Sequence, residues 1–316
     1  MLHYTVKRIL QAIPLIFLIS LISFLLMQAA PYDAVDAITT PDMTPEHVES
    51  LKEKYGLDKP VFVQYFYWLK GVAKGEFGYS LVNNSDVASE LAERIPNTFM
   101  LVLPAFVLAL TLALVLGLWS GVKKGKLTDK VIDGYAAVGI AVPTFWLALL
   151  LVYFLGFRLG WFPILGMRTI GEEETFVNLL HHLVLPVTVL TLSLTPELIR
   201  YVRSSTIGQL NEDYVMVQMA YGESRLNILY KHVLRNVLLP IVTLIGMYLP
   251  LLVTGAFVTE TIFSWPGVGT YFITAIRSFD YPVVMAVLLL SSVFVIVGNL
   301  LADLLYMIID PRIKRS

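Results

Sequence analysis

The chain contains no cysteine among its 316 residues. That excludes a disulfide framework, a thiolate metal site and a cysteine nucleophile. Charge is also scarce: 15% of residues are Asp, Glu, Lys or Arg, and 57% are hydrophobic. Soluble domains run nearer about 25% charged and about 45–50% apolar, so an ordinary globular enzyme and a disordered chain are both excluded. Six runs carry no Asp, Glu, Lys or Arg at all: 9–30, 98–122, 134–157, 176–196, 236–259 and 281–302. Each is long enough to cross about 30 Å of hydrocarbon as a helix, and a β-barrel would instead alternate in segments of about ten residues. The expectation is an all-α membrane protein with six transmembrane helices.

The first run follows Lys7 and Arg8 and ends at Gln28-Ala29-Ala30, which resembles a secretory cleavage site. Its 22 uncharged positions exceed the about 7–15 of a signal core, so it is expected to be a retained anchor. Basic residues set the orientation. With the N-terminus in the cytoplasm, 14 of 23 Lys and Arg fall on the cytoplasmic side, and the two short outer loops hold only Arg158, Arg168 and Arg277. Both termini are then cytoplasmic in a multi-pass protein.

The expected organisation is an anchor helix over 1–30, an extracytoplasmic loop over 31–97, a five-helix core over 98–310 and a cytoplasmic tail over 311–316. The long loop contains a helix from Pro45 to Tyr55, started by Thr44 and ended by Gly56. After Pro60 follows an aromatic stretch with Phe62, Tyr65, Phe66 and Trp68 that either packs on the spans or meets a partner. Between the fourth and fifth spans, 199–235 is amphipathic and punctuated by Gly222. It suits short helices on the cytoplasmic surface. Glu197 and Arg200, three apart, are expected to pair.

Catalytic motifs are missing. The nearest phosphate loop, 121–126, lacks one intervening residue and has Leu127 where Ser or Thr is required. Neither H-E-x-x-H nor G-x-S-x-G occurs. His181 and His182 are adjacent, so they point to different sides of a helix and make a poor joint metal site. No metal and no cofactor is expected on this chain. The uncharged spans disfavour a proton-driven transporter or a self-sufficient channel, which place ionisable groups near the midplane. Prolines at 14, 104, 143, 186, 196, 240, 250 and 282 can kink their helices. Pro143, Phe145 and Trp146 are the favoured pathway-lining group.

Glu260-Thr261-Ile262-Phe263-Ser264-Trp265-Pro266-Gly267-Val268-Gly269 resembles the E-T-I-F-x-x-P-G-[LV]-G signature of the dipeptide/oligopeptide/nickel branch of ABC-importer permeases. The stretch from Asn211-Glu212-Asp213-Tyr214 through Gly222, His232, Arg235-Asn236 and Leu238-Leu239-Pro240 is similar to the same family's cytoplasmic coupling loop. Tyr55-Gly56-Leu57-Asp58-Lys59-Pro60, Gly75-Glu76-Phe77-Gly78 and Asp310-Pro311-Arg312-Ile313 extend the resemblance over essentially the whole chain. Met216, Val217 and Gln218 stand where the general E-A-A-x-x-x-G pattern has Glu, Ala and Ala.

The resemblance implies a permease for short peptides, or for nickel or a metal–chelator complex, in a prokaryotic plasma membrane. It implies a second permease, two cytoplasmic ATPases that carry ATP and Mg²⁺, and an extracytoplasmic binding protein. Tyr214, Ala220, Gly222, Leu226, His232 and Arg235 would serve ATPase coupling. Arg203, Arg225 and Arg235 would brace this segment against lipid or acidic partners. Glu260, Phe263, Trp265, Pro266 and Gly267 would form an outer gate or a binding-protein contact, or else an interfacial aromatic anchor.

Overall fold

A computed structural model describes residues 2–29, 35, 39, 43–54, 56, 58–173, 175–248 and 256–309, with backbone only for 2–9, 54, 239, 240, 242, 243, 245–247 and 302–309. The described residues form helices and no named strand. Helix α1 (Leu2–Gln28) is followed by two short helices, α2 (Pro45–Lys54) and α3 (Val61–Val72), and by α4 (Val87–Val122). Then come α5 (Leu127–Ala141), α6 (Thr144–Leu151) with its π-helical continuation Val152–Arg158, and α7 (Phe176–Leu210). Helices α8 (Asp213–Ala220) and α9 (Arg225–Ile228), a π-turn (Leu229–Val233) and α10 (Leu234–Tyr248) follow. The described chain closes with α11 (Phe257–Ile262), α12 (Val268–Arg277) and α13 (Tyr281–Ile309).

Four stretches are long and apolar enough to cross a membrane: Leu10–Gln28, Val87–Val122, Phe176–Leu210 and Tyr281–Leu301. The pair α5 and α6 makes a fifth, bent by 98°. The six-span expectation is therefore met by four or five among the described residues. The missing one is the 236–259 run: α10 has 15 residues, and 249–255, with Pro250, lie outside the described residues. So does the expected C-terminal motif 310–313.

Proline explains one break and is absorbed elsewhere. Val142 is extended (φ −82°, ψ 119°) and Pro143 follows at φ −64°, ψ 136°. A residue before proline is pushed out of the helical region, and the ring removes a donor. The single 134–157 helix expected from the sequence is thus two helices at an angle. Pro14, Pro104, Pro186 and Pro196 instead lie inside continuous helices.

Two boundaries also move. Asp86 caps α4, accepting the Ser89 N–H at 2.9 Å, so α4 begins eleven residues before the uncharged run at 98. Helix α7 continues through Pro196 to Leu210, so the first part of 199–235 belongs to it.

Helices α4 and α7 are the centre of the molecule, and their pairing follows from residue size. Ala105, Ala109, Ala113, Gly117 and Gly121 recur every four residues on α4, and all are buried. A Cβ on Gly117 would lie 2.6 Å from the Val202 Cβ, and one on Gly121 2.7 Å from the Thr206 Cβ. Small residues at this spacing let backbones approach where lipid offers no hydrophobic drive. The Thr191 hydroxyl donates to Ala105 O across the same seam at 3.3 Å. The contacts 105–191, 117–202 and 121–206 run in one direction, so the two helices are parallel and in register.

Helix α3 packs on α1: Tyr65 is buried, its ring lies edge-on to Phe17 and Phe24, and its hydroxyl is 2.8 Å from Ser20 Oγ. Phe62, Phe66 and Tyr67 on the same helix remain exposed. One end of the bundle carries α3 with α11 and α12 (the first-loop end), and the other carries α8 and α9 (the hairpin end).

Candidate functional site

At the hairpin end α8 stops in a defined way. The Gly222 N–H bonds Met219 O at 3.0 Å and the Glu223 N–H bonds Gln218 O at 3.1 Å. This is the Schellman arrangement, which needs a left-handed residue between the two bonds. Gly222 supplies it at φ +81°. Ser224 then starts α9, accepting the Asn227 N–H on its hydroxyl at 3.3 Å. The resulting helical hairpin has a buried base and an exposed tip. Val215, Ile228 and Val233 pack with Leu118, Val202, Val237 and Ile241. Met216, Met219, Tyr221, Leu226 and Tyr230 face outward, Tyr221 at 84% exposure.

The expected coupling residues divide between base and tip. Tyr214 is half-buried and donates to Gln209 Oε1 at 3.0 Å. His232 is at the base, with Nε2 3.3 Å from Glu223 Oε2 but not aligned for a hydrogen bond. Glu223 also accepts from Asn227 Nδ2 at 2.7 Å. Ala220, Gly222, Leu226 and Arg235 are exposed.

Beneath the hairpin is a polar contact that sequence reading missed. Asp129, 3% exposed, accepts from Arg203 Nε at 2.6 Å and Nη2 at 2.9 Å. It also accepts from Ser120 Oγ at 2.5 Å and the Gly125 N–H at 2.8 Å. One carboxylate thus joins α4, the turn after it, α5 and α7 through a bidentate, charge-assisted contact. It precedes the apolar run that begins at Gly134. Arg203 is therefore spent internally and does not brace the hairpin against lipid. The expected Glu197–Arg200 pair is absent as well: Arg200 turns to Asp133 at 3.9 Å, and Glu197 accepts from the Tyr248 hydroxyl at 3.3 Å.

At the first-loop end the 260–269 signature folds into a packed node. Glu260 has no exposed surface. Its carboxylate accepts from Thr98 Oγ1 at 2.9 Å and the Thr270 N–H at 3.0 Å. Thr98 Oγ1 accepts the Val268 N–H in turn at 2.9 Å. A Cβ on Gly267 would lie 2.5 Å from that carboxylate, and one on Gly269 2.8 Å from Phe257 Cα. The Trp265 indole donates to Asn97 O at 2.8 Å, and Asn97 Nδ2 donates to Pro266 O at 3.0 Å. Phe263 and Trp265 are 2% and 0% exposed. The interfacial-anchor expectation is corrected: both rings are core, because the indole N–H finds its acceptor inside the protein.

The remaining candidates are placed as follows. Phe145 and Trp146, just past the Pro143 bend, are half-exposed at 53% and 49%. His182 is buried between Gly166 O (2.9 Å) and Thr169 Oγ1 (3.1 Å), and His181 meets Trp161 O at 2.8 Å. The two rings fasten the 159–175 loop to α7. No group of three or more metal-ligating side chains occurs among the described residues.

Comparison with known proteins places this geometry. Residues 113–315 match the binding-protein-dependent transport system inner membrane component family, and residues 1–102 match its N-terminal membrane component. The chain is 40% identical over 312 residues to an oligopeptide transport system permease protein of Bacillus subtilis, covering 98% of this chain and 99% of that one. It is 38% identical over 317 residues to a putative peptide permease protein of Brucella ovis, and 32% identical over 314 residues to a glutathione transport system permease protein of Escherichia coli; each alignment covers 99% of both chains. With its helical bundle, apolar spans and full-length similarity, the chain belongs to the binding-protein-dependent ABC-importer permeases of the peptide/nickel branch.

Proposed function

We propose that this chain is the membrane-spanning subunit of an ATP-driven importer of short peptides, forming half of the translocation pathway with a second, related permease. The full-length similarity to permeases named for oligopeptide and glutathione transport carries the substrate class. Two cytoplasmic ATPases, which hold ATP and Mg²⁺, drive the pair of permeases, and the 211–233 hairpin of this chain docks in a groove of one of them; this chain has no catalytic role. An extracytoplasmic binding protein delivers substrate at the first-loop end, and both termini lie in the cytoplasm of a prokaryotic inner membrane.

The hairpin's division into tip and base supports the coupling role. Its apolar tip, with Met216, Leu226 and Tyr230, is exposed among the described residues. Its base is locked to α4 and α7 through the packed Val215, Ile228 and Val233. Force applied at the tip therefore reaches the spans. Alternating access follows when the packed helices rock between two arrangements; Phe145 and Trp146, half-exposed just past the Pro143 bend, are the candidates for the pathway wall. The node at 260–269 holds the outer end shut against α4.

The test is affinity purification from mild detergent through a C-terminal tag, with mass spectrometry of the co-purifying chains. Recovery of two ATPases and a second permease is expected. Recovery of this chain alone, under conditions that keep related complexes intact, overturns the reading.

A further inference from the structure

The registration of α4 with α7 fixes the depth of the charges on α7. The contacts 105–191, 117–202 and 121–206 join residues 86, 85 and 85 positions apart. Glu197 therefore stands level with residues 111–112 of α4, and Arg200 with residues 114–115. The uncharged run of α4 covers 98–122, which is 25 residues. Hydrocarbon takes about 20 of them, and any 20 consecutive residues of that run include 103–117. Glu197 and Arg200 thus lie at hydrocarbon depth, not at the edge where the 176–196 run alone would leave them.

Exposed side chains on α4 support this placement. Leu108, Leu112, Val115, Trp119 and Val122 are 41–59% exposed. Their spacings of four, three, four and three make one apolar face that continues to the last residue of the helix. Sliding the hydrocarbon outward to suit the 176–196 run would leave Val115, Trp119 and Val122 in water. At the other end of α4, before Thr98, the exposed residues are Ser89, Ala92, Glu93 and Pro96, and none of them calls for lipid.

Three charged side chains at this depth are open. Glu197 and Arg200 are exposed. Arg200 meets Asp133 of α5 at 3.9 Å, with side-chain exposures of 47% and 48%. Charged groups at this depth face water-filled cavities or one another, because hydrocarbon is a costly neighbour. The face of α7 between α5 and α10 therefore meets water. On it Asp133 and Arg200 offset each other and Glu197 is left over. The Tyr248 hydroxyl, a neutral donor, reaches Glu197 Oε2 at 3.3 Å. No Lys, Arg or His lies within ion-pair distance of Glu197 among the described residues.

We propose that this face is a wall of the translocation pathway, and that Glu197 receives there the ammonium group of the transported peptide, from its N-terminus or a lysine side chain. A short peptide carries such a group near neutral pH, and Glu197 Oε1 is open to it while Tyr248 steadies Oε2. The inference rests on the importer reading of the chain.

The test is uptake by the reconstituted transporter of a lysine-containing tripeptide and of two analogues, one acetylated at the N-terminus and one at the lysine Nζ. Each ratio of wild type to variant uses the same binding protein and peptide, so the binding protein's own selectivity cancels. Glu197→Gln is expected to lower kcat/KM for the parent tripeptide about tenfold, the scale of one lost charge-assisted hydrogen bond. Glu197→Asp should keep most of the uptake. For one analogue the loss should shrink to less than about twofold, and the acetylated position names the ammonium that Glu197 holds. Equal loss for all three peptides, or no loss for any, overturns the proposal and leaves the importer reading intact. Loss of the second permease from purified Glu197→Gln makes Glu197 an interface residue and also overturns it. A wild-type transporter that takes up no peptide removes the importer reading itself. Because the native chain has no cysteine, Glu197→Cys gives it a sole thiol. A charged methanethiosulfonate should modify that thiol in the assembled transporter and spare Leu112→Cys on the apolar face of α4. No modification of Glu197→Cys, at rest or during ATP turnover, overturns the pathway assignment.

Discussion

Two glycines from the two ends of the molecule are kept for opposite reasons. Gly222 sits at φ +81° with nothing within 4 Å of where a Cβ would be. Gly267 has an ordinary φ of −97°, yet a Cβ there would run into the Glu260 carboxylate. The first is required by backbone conformation and has space to spare; the second is required by space and has conformation to spare. The hairpin end is accordingly a rigid turn that presents an open surface. The 260–269 node at the first-loop end is a packed block whose carboxylate and indole find their partners inside the protein.

The strongest way to break this comparison is to fill the block. Gly267→Val should drive two methyl groups and a Cβ into Glu260 and abolish folded, detergent-extractable protein, as judged by size-exclusion profile. Overpacking alone costs about 1–3 kcal/mol, and displacing a buried carboxylate adds to that. A well-behaved variant with wild-type melting would show that the node is loose.

Asp129→Asn comes next. It removes the charge that faces Arg203, and breaking a buried pair from one side costs about 3–5 kcal/mol, somewhat less here because the Arg203 side chain is 26% exposed. A variant that melts like wild type in the same detergent would show that the Asp129–Arg203 contact carries no stability.

Gly222→Trp should do less to stability and more to function. A non-glycine residue at left-handed φ costs roughly 1–2 kcal/mol, and the open space admits the ring. Membrane insertion should survive while peptide uptake by the assembled transporter is lost. Gly222→Asn, which tolerates this conformation, should retain most uptake. Equal loss in both would mean that any side chain at this position blocks docking, even where the backbone is tolerated. The smallest change in stability belongs to the tip: Met216→Ser with Leu226→Ser should leave melting within about 0.5 kcal/mol but reduce ATPase recovery in the pull-down.

Most features that are local in the structure were legible in the sequence. Uncharged runs gave the long helices, and Gly222 marked its turn because a Schellman stop is written in adjacent residues. Contacts between distant segments were not. Nothing near Asp129 announces Arg203, 74 positions away, and helical spacing alone suggested Glu197–Arg200 in its place. Trp265 reads as an interfacial ring until Asn97 is known to accept its N–H. The five small residues from Ala105 to Gly121 did carry a readable signal, a strict spacing of four within an apolar run, which marks the face of α4 that meets another helix. The bend at Pro143 was readable only as a possibility, because Pro104, Pro186 and Pro196 have the same local chemistry and do not break their helices.

The parallel pair α4 and α7 has a mechanical consequence. With 36 and 35 residues, each is about 50 Å long at 1.5 Å per residue. The hydrocarbon is about 30 Å thick, so roughly 20 Å of doubled helix stands outside it. A tilt of about 10° about the midplane would carry each end of such a girder sideways by about 4 Å, in opposite directions. Because the glycine and alanine seam leaves no slack between the two helices, a push at one membrane surface would arrive at the other as a displacement of similar size, reversed in sign.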